Sequence, residues 1–387
     1  MNKRVETGKS ILKTLTENGW QAFFVGGYVR DYLLGHAIDD IDITTDARPE
    51  DVMGLFPNTR ATGVKYGTVS VMNGPFTFEV TTFRSEQAYV DHRHPETVVY
   101  GKNLAEDLKR RDFTINAMAM GLDGQIIDLF EGQADLGRHV IRAIGDPEMR
   151  FQEDALRILR AFRFIAKLDF QLDSMTEAAM RRSMRLVDKI SNERIMVELA
   201  KIHKNPYRQS AYQAMLRAGL GQVFPELAKG LDCLAHQADF QVDDTEFYCL
   251  SFYLAQCEIP GRWRFSRIQT QRINHVLSLL KATEDQPIDW RLVYQYKLSV
   301  SRIAERLNRL LHPYLKQQPS VQTLWKNLPI KTPTDLHLRG EDVRNLSGGD
   351  DQRIGRLLDQ AVRLVNSGQV SNDKETLLQA LAEIPLE

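Results

Sequence analysis

The sequence predicts an α+β chain, with an N-terminal head on a mixed or antiparallel sheet followed by domains made only of helices. Three observations carry this expectation. Strand-like and helix-like runs alternate through the first part of the chain, and two Asx-Gly pairs there separate apolar runs as hairpin turns do. From about Glu153 onward the pattern turns helical and stays so.

Taken in order, Val5 to Asn18 has the spacing of a helix and Gln21 to Val25 that of a short apolar strand. Gly26-Gly27 breaks the chain, after which Tyr28 to Leu34 reads as helical up to Gly35. Asp40-Ile41-Asp42-Ile43 alternates as a half-buried strand does. Thr68 to Met72 and Phe76 to Phe83 flank Asn73-Gly74, and Ala117 to Leu122 and Gln125 to Phe130 flank Asp123-Gly124 in the same way. The intervening segment from Ser85 to Glu96 is polar and without periodicity, which predicts a solvated loop. Stretches 153–167, 174–187, 192–203 and 208–219 carry apolar residues at helical spacing. Prolines at 287 and from Pro329 to Pro333 mark later boundaries. The expected division is a head over 1–145 and helical domains over 146–206, 207–290 and 291–387.

Composition bounds the function. A chain of 387 residues has material for two to four compact units. Nothing approaches a run of about eighteen apolar residues, so no membrane span is expected. Met1 to Ser10 is polar and lacks the apolar core of a signal peptide. Cys233, Cys249 and Cys257 are few, odd in number and without CxxC spacing, which fits a reducing cytoplasm. Net charge is −1, but its distribution is uneven. Residues 1–99 hold 10 Lys/Arg against 13 Asp/Glu, whereas 150–208 hold 13 against 8. An acidic front joined to a basic middle suits a metal-dependent site beside an anion-binding surface.

The candidate site residues follow from spacing. Asp40 and Asp42, two apart on the expected strand, leave one face of it together, while Asp39 points away. Two like charges held together fit a divalent cation, and magnesium prefers one or two carboxylates with substrate phosphates completing its shell. Glu79 shares a face with Thr77 and Thr81 on its strand and can meet the Asp pair across the sheet. Gly26 and Gly27, between a strand and a helix, let backbone approach a phosphate, and Arg30 one turn later can add a fork of donors. His92 and His94 have no further ligand at zinc spacing.

These residues also carry a resemblance. Gly26-Gly27-Tyr28-Val29-Arg30-Asp31 with Asp40-Ile41-Asp42 resembles the first signature of class II CCA-adding enzymes and bacterial poly(A) polymerases. Arg110-Arg111-Asp112-Phe113-Thr114-Ile115-Asn116-Ala117 resembles their second, and Glu153-Asp154-Ala155-Leu156-Arg157 their EDxxR motif. Ser191 to Ile195 resembles a later helical signature. Asp335 to Gly340 with Ile354-Gly355 resembles the tail of Bacillus-type members. The resemblance implies a nucleotidyltransferase head, then a neck for base selection, a body and a tRNA-binding tail, in the boundaries given above. It further implies that Arg111 and Asp112 contact nucleotide sugar and phosphates, and that the segment between Arg84 and Leu104 is the mobile loop that full CCA-adding members keep.

The EDxxR motif can also be read physically. Asp154, Arg157, Arg160 and Arg163 recur every three residues on an expected helix, a row rising about 13 Å. A carboxylate only accepts and a guanidinium only donates. Asp154 can take the exocyclic amino proton that cytosine and adenine share, and Arg157 can donate to the adjacent ring nitrogen. Uracil and guanine reverse that pattern. Arg160 and Arg163 are then placed to hold phosphates. The expected activity is addition of CCA to the tRNA 3′ end from CTP and ATP, with two magnesium ions on Asp40 and Asp42 and with Glu79 assisting. Arg181, Arg182, Arg185 and Lys189 are candidate contacts to the acceptor arm. Poly(A) polymerase, a CC-only or A-only enzyme, and a non-catalytic RNA binder on an inactive head stay open at this point, as does a homodimer.

Overall fold

The computed structural model describes residues 3–38, 40–89, 95–101, 103–237, 239–312, 319–347 and 350–383. They gather into two compact units, Met1–Asp244 and Thr245–Glu387. The first unit begins with helix α1 (Lys3–Glu17), strand β1 (Ala22–Val25), α2 (Gly27–Leu33), β2 (Asp42–Thr45), α3 (Pro49–Leu55) and β3 (Thr59–Gly63). The hairpin β4 (Thr68–Asn73) and β5 (Phe76–Thr82) follows, then β6 (Arg84–Tyr89), β7 (Pro95–Tyr100) and α4 (Leu104–Lys109). A second hairpin, β8 (Met118–Met120) and β9 (Ile126–Asp128), leads to α5 (Gly132–Arg138), α6 (Pro147–Glu153), α7 (Leu156–Leu168), α8 (Ser174–Ser183) and α9 (Asn192–Lys204).

The main sheet has seven strands in the order β3-β4-β5-β2-β1-β8-β9. Only β2 and β5 run parallel, so the sheet is mixed. Both turns read from Asx-Gly pairs join antiparallel neighbours. Alternation along β5 buries Phe78 and Val80 while Glu79 stays exposed, the pleat of a strand with one covered face. Behind β1 and β8, Val25, Ala117 and Ala119 pack with Phe83, Leu104, Leu108 and Ile144 as one apolar cluster.

Three expectations are corrected. Strand β2 starts at Asp42, so Asp40 lies before it and the two acids do not share a strand. The polar segment from Ser85 is not a bare loop: β6 and β7 pair antiparallel through main-chain hydrogen bonds, which need no apolar alternation. His92 and His94, like Asp39, lie outside the described residues. Finally, the helix expected from 153 is broken. Helix α6 ends at Glu153, Asp154 is extended at φ −141, ψ 100, and its Oδ1 accepts the amide of Leu156 at 3.1 Å. A short acceptor side chain competes there with helix continuation and starts a new helix instead.

Among its described residues the second unit has helices as its only regular structure, including the long helix Trp290–Leu311 and the amphipathic helix Asp351–Asn366. Leu336 and Leu338 of the tail segment are buried with Leu357, Ala361 and Leu377, which explains the alternation of that segment with exposed His337 and Arg339. No helix among the described residues is long and apolar enough to cross a membrane.

Candidate nucleotidyl-transfer site

One cleft of about 1030 Å³ lies within the first unit, lined by both the head and the helices that follow it. Its wall carries Gly26, Gly27, Arg30, Asp40 and Asp42 on one side. Arg111, Asp112, Asp154, Arg157, Arg160 and Arg163 complete it, so residues separated by more than a hundred positions meet at one opening.

Register explains the acidic corner. Asp42 opens β2, opposite Val25 on β1 and level with Glu79 on β5. The residue after Val25 is Gly26, at φ 66 and ψ −128, a backbone region that L side chains rarely adopt. A Cβ there would lie 3.0 Å from Nη1 of Arg111 and 3.9 Å from Oδ2 of Asp42. The glycine therefore lets cation, carboxylate and turn converge. Loss of hydration is the largest influence on Asp42; Arg111 opposes it, Glu79 and Asp40 add to it, and the carboxyl is held above its usual range. Such a like-charged oxygen pair fits a hard divalent cation, which would relieve that repulsion. Asp40 is fully open, 3.8 Å from Nη1 of Arg4. Glu79 lies beside Asp42 but is not part of the cleft wall among the described residues. No group of three or more His, Cys, Asp or Glu is gathered to hold a metal among them.

The basic wall is built from paired charges. Arg30 is buried; its Nε and Nη2 reach Oδ1 of Asp31, and its Nη1 donates to Oδ1 of Asn116 at 2.7 Å. Asn116 in turn donates to Oδ1 of Asp112 at 3.0 Å, and Oδ2 of Asp112 accepts Nε of Arg160 at 2.6 Å. Burial works against charge on Asp112, but Arg160, Asn116 and the Phe113 amide outweigh it and hold the carboxyl far below its usual range. Arg163 pairs with Glu198, and Lys167 with Asp31 at 2.8 Å. Arg157 donates from Nη1 to Oε2 of Glu153 and to the Arg150 carbonyl, and from Nη2 to the Arg110 carbonyl at 3.0 Å. Its guanidinium is thus fixed against the Arg110-Arg111 turn. Burial leads the influences on Asp154 and holds its carboxyl above the usual range.

Spacing alone did not single out several of these partners. Asn116 and Asp31 lie inside quoted motifs, yet their contacts cross the fold. Asp107 was legible in principle: it sits three and four residues before Arg110 and Arg111 and pairs with both. Of the proposed acceptor-arm cations, Arg181 pairs with Glu177 and Arg182 with Glu148.

A mixed sheet with adjacent carboxylates, a glycine turn and an arginine-lined cleft on following helices defines a nucleotidyltransferase head with its helical support. Comparison with known proteins agrees. Residues 22–142 match the "Poly A polymerase head domain" model and 169–231 the "Probable RNA and SrmB- binding site of polymerase A" model. Residues 248–381 match the "tRNA nucleotidyltransferase domain 2 putative" model. The CCA-adding enzyme of Lactobacillus helveticus is 36% identical over 384 residues, covering 97% of this chain and 96% of that protein. That of Bacillus cytotoxicus is 36% identical over 388 residues, covering 97% of each. The crystal structure of the Bacillus stearothermophilus CCA-adding enzyme in complex with CTP superposes with a TM-score of 0.85 at 32% identity, covering 99% of this chain and 98% of that one. The chain belongs to the CCA-adding enzyme family.

Proposed function

We propose that this protein adds C, C and A to the 3′ end of tRNA without a nucleic-acid template, taking CTP and ATP and releasing pyrophosphate. The observation that carries the reading is the single cleft that joins the Asp40–Asp42 corner to Asp154 and Arg157. Relatives named for this activity, matched over nearly the whole chain, support it.

In this reading Asp40 and Asp42 would hold two magnesium ions, which would supply charge neutralisation and lower the pKa of the 3′-hydroxyl. Asp154 accepts the amino proton of C or A, while Arg157, steadied by its carbonyl contacts, donates to the ring nitrogen. Arg160 and Arg163 meet the triphosphate, and Arg111 and Asp112 the sugar and phosphates. Arg30 acts from behind, since its donors serve Asp31 and Asn116. Glu79 acts from beside Asp42 in the sheet. The finer division into neck 146–206, body 207–290 and tail 291–387 assigns base selection to the neck and tRNA binding to the tail. Three free cysteines favour a cytoplasmic location.

The test is incubation of purified protein and magnesium with tRNA transcripts ending before CCA, after C and after CC, each nucleotide alone and together. Addition of C, C, A and then a stop supports the reading. Long A tails, a halt at CC, or no incorporation on any acceptor overturns it. Light scattering on the same sample separates a monomer from a homodimer.

A further inference from the structure

The ring of Phe164, only 4% exposed, sits on the cleft wall where three guanidinium groups converge. The central carbon of Arg163 lies 4.9 Å from the ring centroid, that of Arg30 5.3 Å and that of Arg160 5.7 Å. Phe113 closes the site edge-on, with centroids 5.7 Å apart and planes at 83°. We infer that Phe164 is a positioning residue that gathers Arg160 and Arg163 as one anion-binding pair facing the nucleotide triphosphate. This rests on the nucleotide reading of the cleft given above.

The reasoning starts from what a guanidinium offers. Its hydrogen bonds run in its plane, and here the edges already meet carboxylates: Arg30 with Asp31, Arg160 with Asp112, Arg163 with Glu198. Its faces are weakly hydrated and attract a π cloud. Clustering still costs energy, because burial and then Arg160 both work against the charge on Arg163. A further carboxylate would relieve that cost but offset the excess positive charge left by Lys167 and Lys201, which share Asp31 and Glu198 with these arginines and supply the field a triphosphate needs. A phenyl ring attracts cations without carrying net charge, so it permits the cluster and leaves the field intact. An aliphatic side chain of similar bulk fills the space and lacks the quadrupole.

The experiment measures binding of CTP and of inorganic tripolyphosphate to the full chain by calorimetry, for wild type, Phe164→Leu and Phe164→Tyr. Unfolding midpoints are recorded for each, and Phe164→Met replaces the leucine variant if that one does not fold. The expected result is a roughly tenfold rise in Kd for both ligands with Leu or Met, and a change under about twofold with Tyr. Steady-state KM should rise in parallel while kcat stays nearly level. Unchanged affinity in the aliphatic variant, or equal loss in Leu and Tyr, overturns the inference. Because tripolyphosphate binding is read directly, the outcome stands apart from nucleotide addition. A wild type that binds but does not extend tRNA refutes the proposed reaction and leaves this test intact.

Discussion

At the scale of single residues, the site depends on contacts that tolerate few atoms of change. Gly26→Ala would set a methyl 3.0 Å from Nη1 of Arg111 in a positive-φ turn. The backbone penalty is about 1–2 kcal/mol, and the side-chain tip can swing away, so the fold should survive. Displacing Arg111 removes the cation that offsets charge on Asp42. The expected outcome is a loss of tenfold or more in kcat/KM with a small drop in unfolding free energy. Activity and urea denaturation measured on one preparation check it. Asn116 shows why such dependence is hard to read from sequence. Nothing in an RDFTINA string says that its amide bridges Arg30, 86 positions earlier, to Asp112.

At the scale of elements, helix starts and breaks decide where the working side chains sit. Asp154 does two jobs, since its carboxylate lines the cleft and its Oδ1 also caps the amide of Leu156. Asp154→Ala should cost about 1 kcal/mol of stability through the lost cap. Asp154→Asn keeps the capping oxygen and exchanges a pure acceptor for a mixed donor and acceptor. It should unfold near the wild-type midpoint while losing selectivity for C and A over U and G, measured as misincorporation on tRNA. The long helix Trp290–Leu311 contains a second break, at Lys297 with φ 64 and ψ 161. That region is almost reserved for glycine. Lys297→Gly should therefore be about 1 kcal/mol more stable than Lys297→Ala, both having lost the contacts of the ammonium with the Lys331 carbonyl and the Tyr294 ring. Chemical denaturation of the two variants gives the comparison. Neither break was legible. Asp154 interrupts a run with good helical spacing, and Lys297 has no glycine or proline beside it.

At the scale of the whole molecule, acid is the informative perturbation. His203 is buried against Tyr212, and burial followed by Arg208 pushes its imidazole down to about 3. At this group the unfolded chain binds more protons than the folded one between about pH 6.5 and 3, and the stability it contributes is lost as pH falls through that window. One such group contributes a slope of up to about 1.4 kcal/mol per pH unit. Asp107 and Asp112, held low in the fold, add losses only below about pH 4, whereas Asp42 and Asp154, held high, act in the opposite sense. His203→Gln should flatten the dependence of the urea midpoint between pH 6.5 and 4.5 relative to wild type; parallel curves would refute the assignment. The sequence by itself determined the class of fold, both hairpins, the helical second half and the motifs that place the chain in its family. It could do so because pleat, helical period and turn chemistry are local properties. Only the tertiary structure decided that β2 lies level with Glu79, that Arg157 is pinned by carbonyls 7 and 47 residues away, and that three arginines share one aromatic ring. Those are pairings across long stretches of chain, fixed by how sheet and helices pack and by which charges burial forces together.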